Sequence, residues 1–492
     1  MSAESKKPES GRIRELEALA RRLDPDPATR ARWREAAVAY TERMLEELGT
    51  LPAYRPGFGD PGGALAQPFG EEPTGIDELL ATLEAQVLAP GINPASPGHL
   101  AYIPGGGLYP AALGDLIADI TNRYAGVFFA APGAVRLEMR LVSWLAELVG
   151  YPAATAGGDL TSGGSIANLS AIVAAREAHD LRSTDLPRRV VYLSEQCHHS
   201  VQKALRIAGL GECVRRLVAV DERWRMRPNA LERAIEADRA ANLLPWFVVA
   251  TAGTTDTGAI DPLADIAEVA AAEGLWLHVD AAYGGAFLLC DEGRRALAGI
   301  ERSDSAVIDP HKGLFLPFGS GALLVRDRER LAAANRYHAN YMQDAVRPEV
   351  ELSPADLSPE LSRPFRGLRL WLPLKLCGLA PFRAALEEKL MLARHFHTRL
   401  SALPGWEVGP APDLSVVTYR YRPPRGDADD FNRRLIEAVQ QDGRVFISST
   451  RLEGRFTLRL AVLHFRTHLA EIELALELLQ HYAKQLAMDP NA

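Results

Sequence analysis

Cysteine is scarce in this sequence, and no two cysteines lie close together. The four cysteines are Cys197, Cys213, Cys290 and Cys377, and no CxxC motif occurs. This spacing argues against a zinc knuckle and against a disulfide framework. We therefore predict no metal site, and isolated cysteines are typical of proteins in the reducing cytoplasm.

Long apolar runs and an excess of basic charge are also missing. No stretch approaches the ~18 apolar residues of a membrane-spanning helix. The first residues, "MSAESKKPESGRIRELEALARRL", lack the apolar core of a signal peptide. The net charge of −8 argues against nucleic-acid binding through bulk charge. We expect a soluble cytoplasmic protein that binds neither membranes nor nucleic acid.

Lysine is the third scarce residue type, so few side chains can supply a primary amine. One of them, Lys312, lies in "SAVIDPHKGLFLPFGSGAL" (Ser305–Leu323), directly after an apolar, strand-like run. An amine withdrawn from water there would have a lowered pKa and would attack carbonyl carbons. The alternative is a lysine whose stem is buried while its amine reaches solvent.

The length of 492 residues suffices for two or three domains. Residues 1–97 are predicted to form a helical N-terminal arm, since stretches such as Ala28–Gly49 carry apolar residues at helical spacing. Residues 98–373 are predicted to form a large α/β domain. Residues 374–492, which mix long helical stretches with strand-like ones, are predicted to form a small α+β domain.

The large domain alternates apolar strands with helices. Helical stretches such as "SIANLSAIVAAREAHD" and "PLADIAEVAAAEG" lie between several of the strands. This alternation predicts a mostly parallel sheet covered on both faces, with ligands at the carboxyl ends of its strands. The predicted strands are "RVVYLSE", "CVRRLVAV", "WFVVATAG", "LWLHVDAA", "SAVIDP" and "GALLVRD".

Two motifs at predicted helix starts could contact a cofactor. In "TSGGSIAN" (Thr161–Asn168), Gly163 and Gly164 allow close backbone approach and Ser165 opens a helix, whose free amides suit a phosphate. In "SEQCHHSV" (Ser194–Val201), an imidazole could stack on a planar ring. Taken alone, the first motif is better explained by an ordinary capped turn, and the second is as compatible with a polar helix start as with a cofactor contact.

Two further motifs place a carboxylate and an amine at neighbouring strand ends. In "LWLHVDAAYGG" (Leu275–Gly285), Asp280 ends an apolar strand and requires a cation or hydrogen-bond donor, unless it merely caps a helix. Lys312 follows one strand later. A phosphate cradle, a stacking histidine, a carboxylate for a ring nitrogen and a reactive lysine are together what pyridoxal 5'-phosphate (PLP) requires.

The sequence resembles the group II PLP-dependent amino-acid decarboxylases, which include the aromatic-amino-acid, histidine and glutamate decarboxylases. The resemblance covers about residues 40 to 480. It implies PLP fold type I, which is aspartate-aminotransferase-like with a mostly parallel sheet of the seven-stranded type. It also implies a homodimer with shared active sites. The matching pieces are "TSGGSIANL", "SEQCHHSVQKAL", "ATAGTTDTGAIDPL", "WLHVDAAYGG", "DPHKGLFLPFGSG" and "FRGLRLWLPLK".

The resemblance also implies a role for individual residues. Lys312 would hold PLP as a Schiff base, Asp280 would pair with its pyridine nitrogen, and His198 would stack on its ring. The remaining cofactor contacts that the resemblance implies are Gly164 and Ser165 at the phosphate, Ala282 on the other ring face, and Thr255 and His311 nearby.

The proton that replaces the carboxyl group would come from a loop tyrosine. Counting from Lys312 without a gap places this residue at Tyr341, although Tyr337 is close enough to be confused with it. Relatives with phenylalanine at this position tend to form aldehydes by oxidative deamination. The tyrosine therefore favours simple decarboxylation to the amine and carbon dioxide.

The sequence departs from its relatives at two positions near the cofactor. Asp309 stands where the aromatic enzymes have asparagine, so it would turn away from the phosphate, become protonated or bind it through water. Ile166 replaces an acidic residue and should matter little for the chemistry.

An aromatic L-amino acid is the favoured substrate. In "SPGHLAYIPGGGLYP" (Ser96–Pro110), His99, Tyr102 and Tyr109 are candidates to line the side-chain pocket, although the usual His-Pro pair is absent. An acidic substrate would require an additional arginine, for which Arg123, Arg363 and Arg366 are available. A C–C lyase, an aldehyde synthase, an aminotransferase and a non-catalytic binding dimer remain alternative functions.

Overall fold

The computed structural model describes residues 9–57, 63–66, 68–336 and 351–488. These residues form two units, of which the first ends at Asn93 and the second begins at Pro94. The first unit is mainly helical. Its elements are α1 (Glu9–Ala20), α2 (Pro27–Glu47), β1 (Tyr54–Arg55), α3 (Ile76–Thr82) and β2 (Gly91–Ile92), with β1 and β2 antiparallel.

The helices of the first unit have little core of their own. The start of α2 is well defined, because the side chain of Asp26 accepts a hydrogen bond from the backbone N–H of Thr29 and Pro27 occupies the first turn. None of the residues in α1, α2 and α3 is buried, however. Apolar side chains such as Leu16, Leu19 and Trp33 are exposed.

A seven-stranded sheet dominates the second unit. Its order is β3-β9-β8-β7-β6-β4-β5. The four pairs among β4 to β8 are parallel, and β9 is antiparallel to both of its neighbours. The strands are β3 (Gly157–Thr161), β4 (Arg189–Ser194), β5 (Val214–Val218), β6 (Leu244–Thr251), β7 (Trp276–Asp280), β8 (Ser305–Ile308) and β9 (Gly321–Val325).

Apolar residues on both sides of each central strand explain why the sheet is covered on two faces. In β4, Val190 and Tyr192 belong to one buried cluster, whereas Val191 and Leu193 belong to another. This confirms the predicted α/β class with a mostly parallel sheet. Its helices are α4 (Tyr109–Thr121), α5 (Pro132–Val149), α6 (Gly164–Ala178), α7 (His199–Ile207), α8 (Pro228–Ala240), α9 (Leu263–Glu273), α10 (Asp291–Ala296), α11 (Pro310–Gly313) and α12 (Arg328–Asn335).

The last part of the chain forms an antiparallel sheet packed against helices around a third buried cluster. The sheet order is β10-β11-β13-β12. The domain boundaries predicted at residues 98 and 374 stay a prediction. The elements are α13 (Gly367–Cys377), α14 (Leu379–Ser401), β10 (Trp406–Val408), β11 (Val416–Tyr421), α15 (Ala428–Asp442), β12 (Ser448–Leu452), β13 (Arg455–Ala461) and α16 (Leu469–Met488).

The topology determines where a ligand site can form. Because β3 and β8 are both antiparallel to β9, β3 runs in the direction of the parallel strands. The carboxyl ends of β3, β4, β6, β7 and β8 therefore meet at one edge of the sheet. The amino end of β9 lies at the same edge. Over the described stretches of chain, no helix combines the length and apolar character needed to cross a membrane.

Candidate active site

A cavity of about 300 Å³ lies at this edge of the sheet, which is a size suited to a small organic ligand. Residues from five strand ends and from the segment before β9 reach it. They include the predicted cofactor contacts together with polar residues that were not predicted to belong to the site. The lining comprises Ser162, Gly163, Gly164, Ser165, Ile166, Asn168, His198, Ser200, Thr251, Gly253, Thr255, Asp280, Ala282, Tyr283, Asp309, His311, Lys312 and Gly319.

The start of α6 provides an anion cradle on one side of the cavity. No side chain caps this helix, which begins after Gly163, a residue with φ of +147° that only glycine adopts readily. A Cβ on Gly164 would lie 3.0 Å from Oδ2 of Asp309 and 3.4 Å from Cβ of Ala282. The missing side chains keep this space open, so the first amides of α6 can bind a phosphate.

His198 lies at the N-terminus of α7, directly after β4. Its Nδ1 accepts a hydrogen bond from the backbone N–H of Ser200 at 3.3 Å and lies 2.7 Å from Oγ of the same serine. Burial lowers the pKa of His198. The imidazole is thus held in one orientation and favours its neutral form, as a ring that stacks on a cofactor would.

Asp280 is the last residue of β7 and is only 5% exposed. Its Oδ2 accepts a hydrogen bond from Nδ2 of Asn168 at 3.1 Å, and its Oδ1 accepts from the backbone N–H of Ala282 at 3.2 Å. These donors provide the hydrogen bonds that a buried carboxyl group requires. Asp280 therefore presents a hydrogen-bonded carboxyl group at the cavity wall and does more than cap a helix.

Lys312 lies on the one-turn helix α11, which follows β8. Its Nζ is 3.0 Å from Oδ2 of Asp309, and its side chain is one quarter exposed. A lysine that merely reaches solvent would not pair with a residue that is 2% exposed. The amine of Lys312 is thus directed to the cavity.

Asp309 does not turn away from the cavity, which removes one of the three arrangements considered for it. It pairs with Lys312, and Nε2 of His311 lies 3.7 Å from its Oδ2. Burial lowers the pKa of His311, whose Nδ1 bonds to the backbone carbonyl of Ser320. The acid therefore sits beside the anion cradle with its charge offset mainly by the lysine.

The predicted substrate residues lie elsewhere. His99 is buried, with its ring centroid 6.4 Å from that of Tyr102 and 6.1 Å from that of Phe446. Neither His99 nor Tyr102 lines the cavity, and nor does Tyr109. Their role in substrate binding stays a prediction. Tyr337 and Tyr341 lie outside the described residues.

Two of the three arginines considered for an acidic substrate are already paired. The guanidinium of Arg363 is fully buried, 3.0 Å from Oε2 of Glu138, and it also bonds to Asp159. Arg366 pairs with Glu360 at 2.6 Å. Arg123, the third candidate, is exposed and does not line the cavity.

Three residues that line the cavity were not predicted as residues of the site, namely Asn168, Ser200 and Thr251. Asn168 lies four residues after Gly164 on α6, so it projects from the same side of the helix as the cradle. That spacing was a usable signal for Asn168. No comparable pattern marks Thr251, whose position depends on the pairing of β6 with β7.

The residues that line the cavity fit PLP. The open start of α6 suits its phosphate, the buried carboxylate of Asp280 suits a protonated ring nitrogen, and the amine of Lys312 suits its aldehyde. The fold and this combination of groups define a PLP-dependent enzyme of fold type I.

Comparison with known proteins identifies the family. Residues 64–422 match the model of the pyridoxal-dependent decarboxylase conserved domain. Aromatic-L-amino-acid decarboxylase of Bacillus atrophaeus is 34% identical over 83% of this chain and 85% of that protein. Phenylacetaldehyde synthase of Arabidopsis thaliana is 29% identical over 90% of this chain and 93% of that protein.

A solved structure of Oryza sativa TDC with PLP and tryptamine has the same fold. It superposes with a TM-score of 0.88 at 29% identity, covering 94% of this chain and 99% of that one. The chain therefore belongs to the pyridoxal-dependent decarboxylase family. It is a PLP-dependent amino-acid decarboxylase, that is, a carboxy-lyase.

Proposed function

We propose that this enzyme converts an aromatic L-amino acid to the corresponding amine and carbon dioxide. The observation that carries the proposal is the meeting of Lys312, Asp280 and the open start of α6 in one cavity. The aromatic substrate rests on the names of relatives such as the aromatic-L-amino-acid decarboxylase of Bacillus atrophaeus.

Each residue of the cavity would have a separate role toward the coenzyme. PLP supplies an aldehyde that links to amines and a conjugated ring that takes up the electrons of the broken bond. Lys312 would hold the coenzyme covalently until the substrate amine replaces it. Asp280 would keep a proton on the ring nitrogen by charge, and His198 and Ala282 would enclose the ring.

The phosphate would lie at the start of α6. The backbone amides of Gly164 and Ser165 would donate to it, and Thr255 and His311 line the same cavity. Hydrogen bonds to a charged group contribute roughly 1.5–3 kcal/mol each. Several of them would retain the coenzyme whenever the covalent link to Lys312 is open.

A tyrosine would return the proton to the substrate carbon. We assign this role to Tyr341, with Tyr337 as the alternative. A phenol at this position would protonate the carbon, whereas without its hydroxyl the carbon would be open to oxidation by molecular oxygen. The phenylacetaldehyde synthase among the relatives makes an aldehyde synthase the second candidate function.

The paired arginines favour a neutral substrate side chain over an acidic one. Arg363 could bind a substrate carboxylate only by leaving two buried acids, Glu138 and Asp159, without a counter-charge. Breaking such a buried pair costs about 3–5 kcal/mol. An aromatic substrate side chain needs no arginine partner, so it leaves these ion pairs intact.

We also propose a homodimer with shared active sites. The helices α4 and α13 pack together and expose a group of large apolar side chains, and α1 and α2 of the first unit bury no residue at all. Apolar surfaces of this kind are typical of interfaces. The exposed residues on α4 and α13 are Leu116, Ile117, Ile120, Trp371 and Leu376.

A cytoplasmic location is the last part of the proposal. All four cysteines are free thiols, and three of them are buried. A chain that folds without disulfides suits a reducing compartment.

The test is a screen of amino acids for carbon dioxide release with added PLP. We expect release from tryptophan, tyrosine, phenylalanine or dihydroxyphenylalanine, little release from glutamate or aspartate, and none in the Lys312→Ala variant. Product analysis separates the alternatives, because an aldehyde synthase also consumes oxygen and an aminotransferase requires a keto acid. Release from acidic substrates alone would overturn the proposed substrate class.

A further inference from the structure

A line of buried, hydrogen-bonded side chains ends at Asp280 and has no part in the mechanism above. Nε1 of Trp276 donates to Oγ of Ser305 at 2.9 Å, and this oxygen lies 2.8 Å from Nδ1 of His278. Nε2 of His278 lies 2.8 Å from Oδ1 of Asn168. Nδ2 of Asn168 then donates to Asp280, so the line connects the sheet interior with the cavity.

The hydrogen bonds of this line run in one direction. The amide oxygen of Asn168 only accepts, so Nε2 of His278 carries a proton. Burial lowers the pKa of His278 to about 4, so the ring is neutral and its Nδ1 accepts from the hydroxyl of Ser305. The opposite orientation of the Asn168 amide would bring its oxygen against the carboxylate of Asp280, where two acceptors would meet.

A branch of the line reaches His198. Nδ2 of Asn168 also donates to Oγ of Ser200 at 3.0 Å. Nδ1 of His198 accepts from the backbone N–H of Ser200, so it carries no proton and accepts from the serine hydroxyl as well. The proton of the neutral imidazole is therefore on Nε2.

We propose that Asn168 is a positioning residue, whose amide holds the carboxylate of Asp280 and, through Ser200, the imidazole of His198 in the arrangement that receives the coenzyme. This inference rests on the roles proposed above for Asp280 and His198. It extends them by assigning the orientation of both groups to one side chain on α6.

Asparagine suits this position because it combines one acceptor with two donors. Its oxygen meets the proton of His278, and its two N–H groups meet Ser200 and Asp280. Alanine would remove one hydrogen bond from each of these three partners. Aspartate would keep the shape but place a second carboxylate beside Asp280, unless it carried a proton.

The experiment compares Asn168→Ala, Asn168→Asp and the control Ser170→Ala, which removes another buried polar group from α6. PLP affinity is measured by fluorescence titration, and the visible absorbance of bound PLP is followed, both as a function of pH. Circular dichroism and thermal unfolding establish that each variant is folded. Ser200→Ala, which interrupts only the branch to His198, serves as a second probe.

We expect Asn168→Ala to bind PLP about tenfold more weakly than the unchanged enzyme at every pH. This is the effect of losing one hydrogen bond to a charged group. Asn168→Asp should bind PLP worst at high pH and recover as the pH falls, since the introduced carboxyl group, once protonated, again donates to Asp280. Ser170→Ala should match the unchanged enzyme. A merely structural role for Asn168 would not produce this pH-dependent recovery.

A double substitution with Asp280→Asn separates the inference from the proposed function. If Asn168 acts partly through Asp280, its removal should have a smaller effect on PLP affinity and absorbance in the Asp280→Asn background, where only the branch through Ser200 remains. The inference would be overturned if the effects of the two substitutions on PLP affinity were fully additive. It would also be overturned if the PLP affinity of Asn168→Asp did not depend on pH. If Asp280→Asn itself leaves the absorbance and affinity of bound PLP unchanged, the proposed role of Asp280 fails instead.

Discussion

The buried ion pairs of Arg363 allow a prediction about stability. The side chain of Arg363 is fully buried between the carboxylates of Glu138 and Asp159. Replacement by methionine, Arg363→Met, keeps most of the volume but removes the positive charge. Two buried acids would then lack a counter-charge, so we expect a loss of about 3–5 kcal/mol in the free energy of unfolding.

The loss of stability in Arg363→Met should be larger at high pH than at low pH. Burial already raises the pKa of Glu138 from 4.5 to about 7, and it raises the pKa of Asp159 as well. A buried acid with a raised pKa binds its proton more tightly when folded, so its contribution to stability falls as the pH rises from about 4.5 to 7. Without Arg363 this effect strengthens, and the variant should be least stable above pH 7 and recover partly near pH 5.

Urea unfolding at pH 5 and pH 8, followed by circular dichroism, measures both effects. The control is Arg399→Met, because Arg399 forms an ion pair with Glu473 at 2.9 Å while its side chain is 54% exposed. Exposed pairs contribute about 0–1 kcal/mol. If Arg363→Met unfolds at the same urea concentration as the Arg399→Met control at both pH values, the buried pair does not stabilise the fold as argued.

Three further predictions concern the cofactor and the product. Lys312→Ala should abolish the PLP adduct that borohydride reduction fixes to the protein, and mass spectrometry of peptides would contradict the assignment if the adduct lay on another lysine. Gly164→Ala should weaken PLP binding about tenfold, because the added Cβ would crowd the anion cradle beside Asp309. The control variant Gly133→Ala should bind PLP normally, because a Cβ at Gly133 would meet open space. Tyr341→Phe should shift the product from amine to aldehyde, which chromatography with oxygen-uptake measurement detects, and clean amine at the full rate would show that another group donates the proton.

The central strands could be read from the sequence because they are buried on both faces. Apolar runs marked five of the six predicted strands of the large sheet, from Arg189 in β4 to Val325 in β9. The exception is the edge strand β5, whose sequence "VRRLV" contains two arginines. The strand β3 was not predicted, because its sequence "GGDLT" has almost no apolar residues. It is held as an edge strand by antiparallel pairing with β9, a contact between residues far apart in sequence.

The site was predictable where local motifs carry the chemistry. Gly164 opens a helix after a strand, Asp280 ends a strand, and Lys312 lies just beyond one, so the topology brings them to one edge of the sheet. Hydrogen bonds across the sheet were not predictable. The link from Asn168 to Asp280 joins residues 112 positions apart, and it depends on how α6 packs on β7.

The way in which the cavity is assembled has a consequence for the lifetime of the protein. Its walls come from separate segments between Ser162 and Gly319, so a coenzyme that contacts them all ties together parts of the chain that would otherwise separate on unfolding. A ligand present at a hundred times its dissociation constant adds about 2.7 kcal/mol to stability. Cells short of PLP would therefore hold less of this protein as well as less active enzyme, because the empty form would be degraded sooner.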